Sequence, residues 1–263
     1  MPSVREAARI ERSFTILLFV SQYGFFEPMI EIVLLDFNGV IINDEPIQFR
    51  AYQQIFAAEG LSLTQEEYNA SFGMDDRAFL RAAYTRAGRV LEEAKLQELM
   101  ENKTAQHRAM IAGELPLFPG VVTFVKGLRR RFAVGLVSMA RRVEIDHVLA
   151  RAGLADAFDA IVSAEDVTAH KPDPQCYLLG LQRTAHVVHR RGDPTPPPHR
   201  CAVIEDTPAG IQAAVNAKMR PIGVANTVSA DELRAAGAEA VAHDLSDWNA
   251  GTIYSLFREK SKV

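Results

Sequence analysis

Between Ile32 and Leu35 four apolar residues run without a polar one, and they lead straight into Asp36 and an Asn38-Gly39 turn. A strand with no polar alternation is buried on both faces, as strands are in parallel sheets. Asp36 therefore stands at the carboxyl end of a core strand, and in an open α/β sheet ligands bind in the crevice beyond those ends. A carboxylate there can act as a nucleophile or a metal ligand, or it can simply cap a turn. Asn38 and Gly39 both tolerate positive φ and supply the tight turn.

The rest of the chain extends this pattern. Residues 46–59 carry Ile47, Tyr52, Ile55 and Phe56 at near-helical spacing and stop at Gly60. Three further helical stretches are expected at 64–71, 75–87 and 91–112, with no convincing strand among them. From Val121 onward helices alternate with strands, the strands at 133–137, 160–163, 202–204, 221–224 and 239–242. Such alternation means βαβ units and a parallel sheet. Right-handed crossovers make it a three-layer, doubly wound α/β domain.

The expected organisation is a core formed by residues 29–45 and 118–263, with an α-helical insert over 46–117 whose end is punctuated by Pro116, Pro119 and Gly120. The chain's 263 residues are enough for one large domain carrying such an insert. Residues 1–28 fit poorly with the strand–helix pattern that begins after Met29. Their apolar run, Phe14–Val20, is too short to span a bilayer and lacks a clear small-residue cleavage site. We read them as a loosely held extension, or as lying upstream of a natural start at Met29. The proline-rich stretch Arg190–His199 reads as an extended surface loop.

A net charge of −4 without a long basic run points away from nucleic acid and anionic membranes as partners. Cys176 and Cys201 lie far apart and form no metal-type pair, so buried thiols in a reduced, cytoplasmic protein are expected. The pattern leaves a monomer or a dimer open.

Polar groups follow four of the expected strands: Asp36; Ser138 in Val-Gly-Leu-Val-Ser-Met-Ala; Lys171 in His-Lys-Pro-Asp-Pro; and Glu205-Asp206 in Ala-Val-Ile-Glu-Asp-Thr-Pro-Ala-Gly. In a parallel sheet these ends share one edge, so the groups can converge. Each alone has a plainer explanation. Ser138 could cap a helix, Lys171 could be a solvated loop lysine, and the acidic pair could favour a helix N-terminus. Taken together their chemistry is consistent. Three neighbouring carboxylates repel unless a cation lies among them, and all-oxygen ligation favours Mg²⁺. A serine hydroxyl and a lysine ammonium offer donors to an anionic group, and the lysine stabilises transition-state charge. That set suits phosphoryl transfer through an aspartyl-phosphate.

The order Leu-Asp-Phe-Asn-Gly-Val, Leu-Val-Ser, His-Lys-Pro-Asp-Pro, Ile-Glu-Asp-Thr-Pro-Ala-Gly resembles the haloacid dehalogenase-like hydrolase superfamily over about Met29 to Trp248. It is most similar to the branch containing β-phosphoglucomutase and phosphoglycolate phosphatase, which has a helical cap inserted after the first strand. The resemblance implies that Asp36 is the phosphorylated nucleophile, that Ser138 binds the phosphoryl group and that Lys171 neutralises both. Glu205 and Asp206 match the Mg²⁺-binding pair, with the backbone carbonyl of Asn38 completing the metal site. Gly73, in Phe-Gly-Met-Asp-Asp-Arg, matches a cap segment that reaches the active site, where Arg77 would touch substrate.

The chain departs from the family's pattern at Asn38, where phosphatases and mutases of the family carry a second Asp as general acid and base. A carboxamide cannot exchange a proton at neutral pH, and losing such a group costs about 10²–10⁴-fold in rate. We expect Asp44, Glu45 or a cap residue to replace it in part. The reading that results is a Mg²⁺-dependent phosphohydrolase for a small phosphorylated metabolite such as a sugar phosphate. A phosphomutase is the enzymatic alternative, whereas dehalogenases of the superfamily need no metal and fit the acidic pair poorly. A phosphate-binding or regulatory protein with slow turnover is the alternative from another class.

Overall fold

A computed structural model describes residues 30–188 and 194–258. The extension expected over 1–28 and part of the proline-rich stretch lie outside the described residues. The described residues open with strand β1 (Ile32–Leu35), followed by helices α1 (Glu45–Ala58), α2 (Gln65–Asn69), α3 (Asp76–Arg86), α4 (Glu93–Met110) and α5 (Val121–Leu128). Alternating units come next: β2 (Ala133–Val137), α6 (Arg142–Arg151), β3 (Ala160–Val162) and α7 (Gln175–Val188). The last are β4 (Cys201–Glu205), α8 (Pro208–Asn216), β5 (Arg220–Val224), α9 (Ala230–Ala235), β6 (Ala240–Ala242) and α10 (Ala250–Arg258).

The six strands form one sheet in the order β3-β2-β1-β4-β5-β6, with every pairing parallel. The expected doubly wound α/β fold is borne out, with β1 at the centre between β2 and β4. The strand order reverses beside β1, which is where such sheets open a crevice at their carboxyl ends.

The unbroken apolar run of β1 does what its pattern required. Val33 and Leu35 pack into a cluster with Val125, Leu128, Ile145 and Phe257 on one face. Ile32 and Leu34 pack with Tyr177, Leu181 and Ala213 on the other. Gly180 allows α7 to lie close, since a Cβ there would stand 2.6 Å from Val137 Cγ2. Helix α7 runs on through Thr184, which is fully buried, and Ala185.

Helices α1–α4 enclose a cluster of their own, in which Tyr52, Phe56, Tyr68 and Phe79 stack edge to face around Leu80 and Leu96. The chain passes between this insert and the sheet at two adjacent places. Ile42 bridges antiparallel to Leu117, Asn43 N–H donates to the Pro116 carbonyl at 2.7 Å, and Phe118 N–H donates to that of Ile41. Among the described residues no helix is long and apolar enough to cross a membrane.

Candidate active site

The carboxyl ends of β1, β2 and β4 meet a cavity of about 100 Å³ beneath the helical insert. Asp36, Asn38, Ser138, Lys171 and Asp206 line it from the sheet, and Glu45, Tyr52, Tyr68, Gly73, Asp76 and Lys103 are among those lining it from the insert side. Four strand-end groups picked from the sequence are thus brought together.

Lys171 is the hub. Its Nζ lies 2.7 Å from Asp36 Oδ1 and 2.5 Å from Glu205 Oε1, and the ammonium stands 5.1 Å above the Tyr177 ring. Burial alone would lower the lysine's pKa, but the two carboxylates outweigh it and hold it firmly protonated. For Asp36 burial wins: despite Lys171, its carboxyl is pushed up to about 7. Ser138 is buried, and its Oγ accepts the Ala140 N–H at 3.0 Å, so its own proton remains to be donated.

The acidic pair divides its labour. Glu205 Oε1 accepts from Lys171 and from Tyr177 at 2.8 Å, while Oε2 accepts the Asp206 N–H, the Thr207 N–H and the Thr207 hydroxyl. Although Glu205 belongs to the acidic cluster with Asp36 and Asp206, both its oxygens are fully engaged. These bonds anchor Lys171 and the start of α8, while the carboxylate keeps its place in the acidic cluster where a metal-ligand role is expected of it. Burial tends to raise its pKa, but Lys171 overcomes that and holds it low. Gly210 leaves room for it, since a Cβ there would fall 1.8 Å from Oε1.

Asp206 is different. Its Oδ2 accepts the Thr227 hydroxyl, and its Oδ1 is buried without a partner. Burial, then Glu205 and Asp36, drive its pKa well upward. Three carboxylates face one ammonium here, and one carboxylate oxygen has nothing to bind. An oxygen-ligated divalent cation fits that donor set.

Asn38 lines the cavity, and its Nδ2 donates to both Asp44 oxygens, at 2.9 and 3.1 Å. Asp44 is wholly buried, and also receives Gln48 and pairs with His107 Nε2 at 2.7 Å. It faces the interior rather than the cavity, so it cannot replace the missing acid. Changing Asn38→Asp alone sets two carboxylates against each other. We expect it to lower stability by about 1–3 kcal/mol, the cost of losing a buried hydrogen-bond donor. The pair Asn38→Asp with Asp44→Asn should restore most of the loss, because the hydrogen bond re-forms with inverted polarity. Thermal unfolding of the three variants checks this.

Gly73 lies where expected. Its φ is +95°, and a Cβ would come 2.8 Å from Ala209 Cβ, so the glycine lets the 71–75 segment touch the sheet side of the cavity. Arg77 departs from expectation. It does not line the cavity; its side chain is about two-fifths exposed and its guanidinium pairs with Glu93 at 2.6 Å. One step along α3 is a rotation of about 100°, and the residue that turns inward is Asp76, held by Tyr52 and Lys103.

The sequence reading missed Tyr177, Thr227 and the bridge from the insert to α6. In that bridge Lys103 and Thr104 reach Glu144 at 3.0 and 2.6 Å. Only the unusual presence of a lysine in the inward stripe of α4 signalled it.

A family model described as haloacid dehalogenase-like hydrolase matches residues 30–218. Fructose-1-phosphate phosphatase YqaB of Escherichia coli (strain K12) is 32% identical over 196 residues, which cover 73% of this chain and 95% of that protein. Protein SUPPRESSOR OF QUENCHING 1, chloroplastic, of Arabidopsis thaliana is 31% identical over 222 residues, 82% of this chain. This chain spans only 20% of that relative's length. A crystal structure of beta-phosphoglucomutase from Clostridium difficile superposes with a TM-score of 0.76 at 21% identity, covering 88% of this chain and 99% of that one. That likeness is one of fold.

Proposed function

Because the chain belongs to the haloacid dehalogenase-like hydrolase family, we propose that it is a Mg²⁺-dependent phosphohydrolase acting on a small phosphorylated metabolite, of which sugar phosphates are the leading class. The observation that carries this reading is the convergence of Asp36, Ser138 and Lys171 on one cavity beside the unpartnered oxygen of Asp206.

Asp36 is the group at the strand end that can attack phosphorus and take the phosphoryl group as an acyl phosphate. Lys171 and the Ser138 hydroxyl supply positive charge and a hydrogen bond to the transferring phosphoryl oxygens, where charge is spread in the transition state. Asp36, Asp206 and the Asn38 carbonyl would hold Mg²⁺, which when bound offsets the carboxylate charge and polarises the phosphoryl group. The helical insert is the cap that roofs the site, with Gly73 at its contact. Polar lining from Gln48, Ser71, Asp76 and Lys103 suits a hydroxylated leaving group, and the E. coli relative named for fructose 1-phosphate supports the same class. Cys176 and Cys201 are free and buried, as expected for a cytoplasmic protein.

Phosphate release from a panel of sugar phosphates, with and without Mg²⁺, tests this. We expect release that requires Mg²⁺ and vanishes in Asp36→Asn. One observation favours a second reading, a phosphate-binding protein of slow turnover: the fixed carboxamide of Asn38. Mg²⁺ and phosphate binding without any release would favour it. A mutase would instead interconvert a sugar phosphate without releasing phosphate.

Cation removal carries a pH signature. The folded pKa of Asp36, about 7, lies above its ordinary 3.8, so between those values the cation-free folded state holds a proton that the unfolded chain has lost. Its stability therefore falls as pH rises across that window. Mg²⁺ competes with that proton, so it should raise Tm more at about pH 8 than at about pH 5.5; calorimetry at both pH values checks the order.

A further inference from the structure

The site needs a group to protonate the leaving oxygen, and the structure narrows the choice. Asn38 has committed its nitrogen to Asp44, which turns inward. Of the other carboxyls that line the cavity, Asp36 is paired with Lys171, and Asp76 is held in an ion pair with Lys103 and by the Tyr52 hydroxyl, both through Oδ1, while its buried Oδ2 has no partner. Asp206, with its free oxygen, would hold the cation. Glu45 remains. It is the first residue of α1, half-buried at the cavity wall, and has no ion-pair partner among the described residues. The Tyr68 hydroxyl donates to its Oε2 at 2.7 Å, fixing the carboxyl, and no hydrogen bond from a described residue reaches its Oε1.

We propose that Glu45 is the proton-transfer residue of this site, in place of the acid that Asn38 cannot be. The role rests on the phosphohydrolase reading. In the first step Asp36 attacks phosphorus and the P–O bond to the leaving group breaks. The protonated Glu45 gives its proton to that oxygen, which leaves as an alcohol. In the second step water attacks the aspartyl-phosphate, the Glu45 carboxylate takes the water's proton, and Asp36 departs as a carboxylate with phosphate released. Each cycle returns both carboxyl groups to their starting states.

The surroundings suit a group that must work in both directions. Burial, then the charge of Asp44, push the Glu45 carboxyl up to about 7; Tyr68 on α2 and Lys103 on α4 pull it down, and Asp36 on β1 pushes it up. Such a value favours a group that alternates between acid and base at neutral pH.

Two variants and two phosphoryl donors test the assignment. The donors are the sugar phosphate that the full-length wild-type protein hydrolyses best, and acetyl phosphate, whose leaving group needs no proton. Glu45→Gln keeps the shape and should reduce sugar phosphate turnover by about 10²–10³-fold. Labelling of Asp36 by acetyl phosphate should stay within about threefold, and the label should decay more slowly. Tyr68→Phe removes a bond that favours the carboxylate, so the alkaline limb of its pH–rate profile should move upward. Equal losses with both donors in Glu45→Gln, an unchanged sugar phosphate rate, or an unmoved limb in Tyr68→Phe would overturn the assignment while leaving the phosphohydrolase reading in place. A wild-type protein that neither hydrolyses sugar phosphates nor becomes labelled would overturn both.

Discussion

Replacing Lys171 with methionine is expected to lower turnover by about 10²–10³-fold, the scale found when one preorganised donor to a transition state is lost. The same change should cost about 3–5 kcal/mol of stability near neutral pH, because it leaves buried carboxylates without their counter-charge. Lys171 is 3% exposed and touches both Asp36 and Glu205, so its loss removes the counter-charge from both. The pH dependence has a definite sign. In the native protein Lys171 holds the Glu205 carboxyl below its ordinary value, so it contributes stability above that value and loses it as pH falls. In the methionine variant burial is opposed only by the hydrogen bonds from Tyr177, Asp206 and Thr207, and the carboxyl rises instead. The variant's deficit should therefore grow from about pH 5 to about pH 8. Chemical denaturation at several pH values, beside phosphate release, measures both effects.

Changing Gly39 to alanine is the second large effect. Gly39 has φ of +71°, and a Cβ there would fall 1.7 Å from Asp206 Oδ2 and 2.8 Å from Thr227 Oγ1. The left-handed backbone costs an alanine about 1–2 kcal/mol, and the overpacking about 1–3 kcal/mol more. The sum is a loss of roughly 2–5 kcal/mol. Asp206 cannot stay in place beside the new methyl group, so Mg²⁺ affinity should fall along with activity. An alanine at Gly60, also at positive φ but with nothing within 4 Å, would suffer the backbone strain alone. Comparing Tm and Mg²⁺ binding for the two variants separates strain from displacement of the carboxylate.

Much of this was legible in the chain, and particular residues show why. Ile32–Leu35 has no polar position, and such a run can only be buried from both sides, which fixed the parallel sheet and the place of Asp36. Ser138, Lys171 and Asp206 were legible because a parallel sheet brings its strand ends to one edge whatever the loops do. What stayed hidden depends on pairings across long separations. Tyr68 meets Glu45 across 23 residues and Glu144 meets Lys103 across 41, and no local pattern encodes either. Arg77 was misjudged by one helical step, since motif position does not give rotational phase. The saturation of Glu205 was likewise invisible, because it depends on Tyr177 arriving from α7 and Thr207 folding back at the start of α8.

The central question is whether Asp36 carries the phosphoryl group. Incubating the protein with labelled acetyl phosphate and Mg²⁺, then mapping the labelled peptide, answers it. We predict label on the peptide containing Asp36, dependent on Mg²⁺ and absent from Asp36→Asn. Label at another residue, or none on folded protein that binds Mg²⁺, would contradict the mechanism.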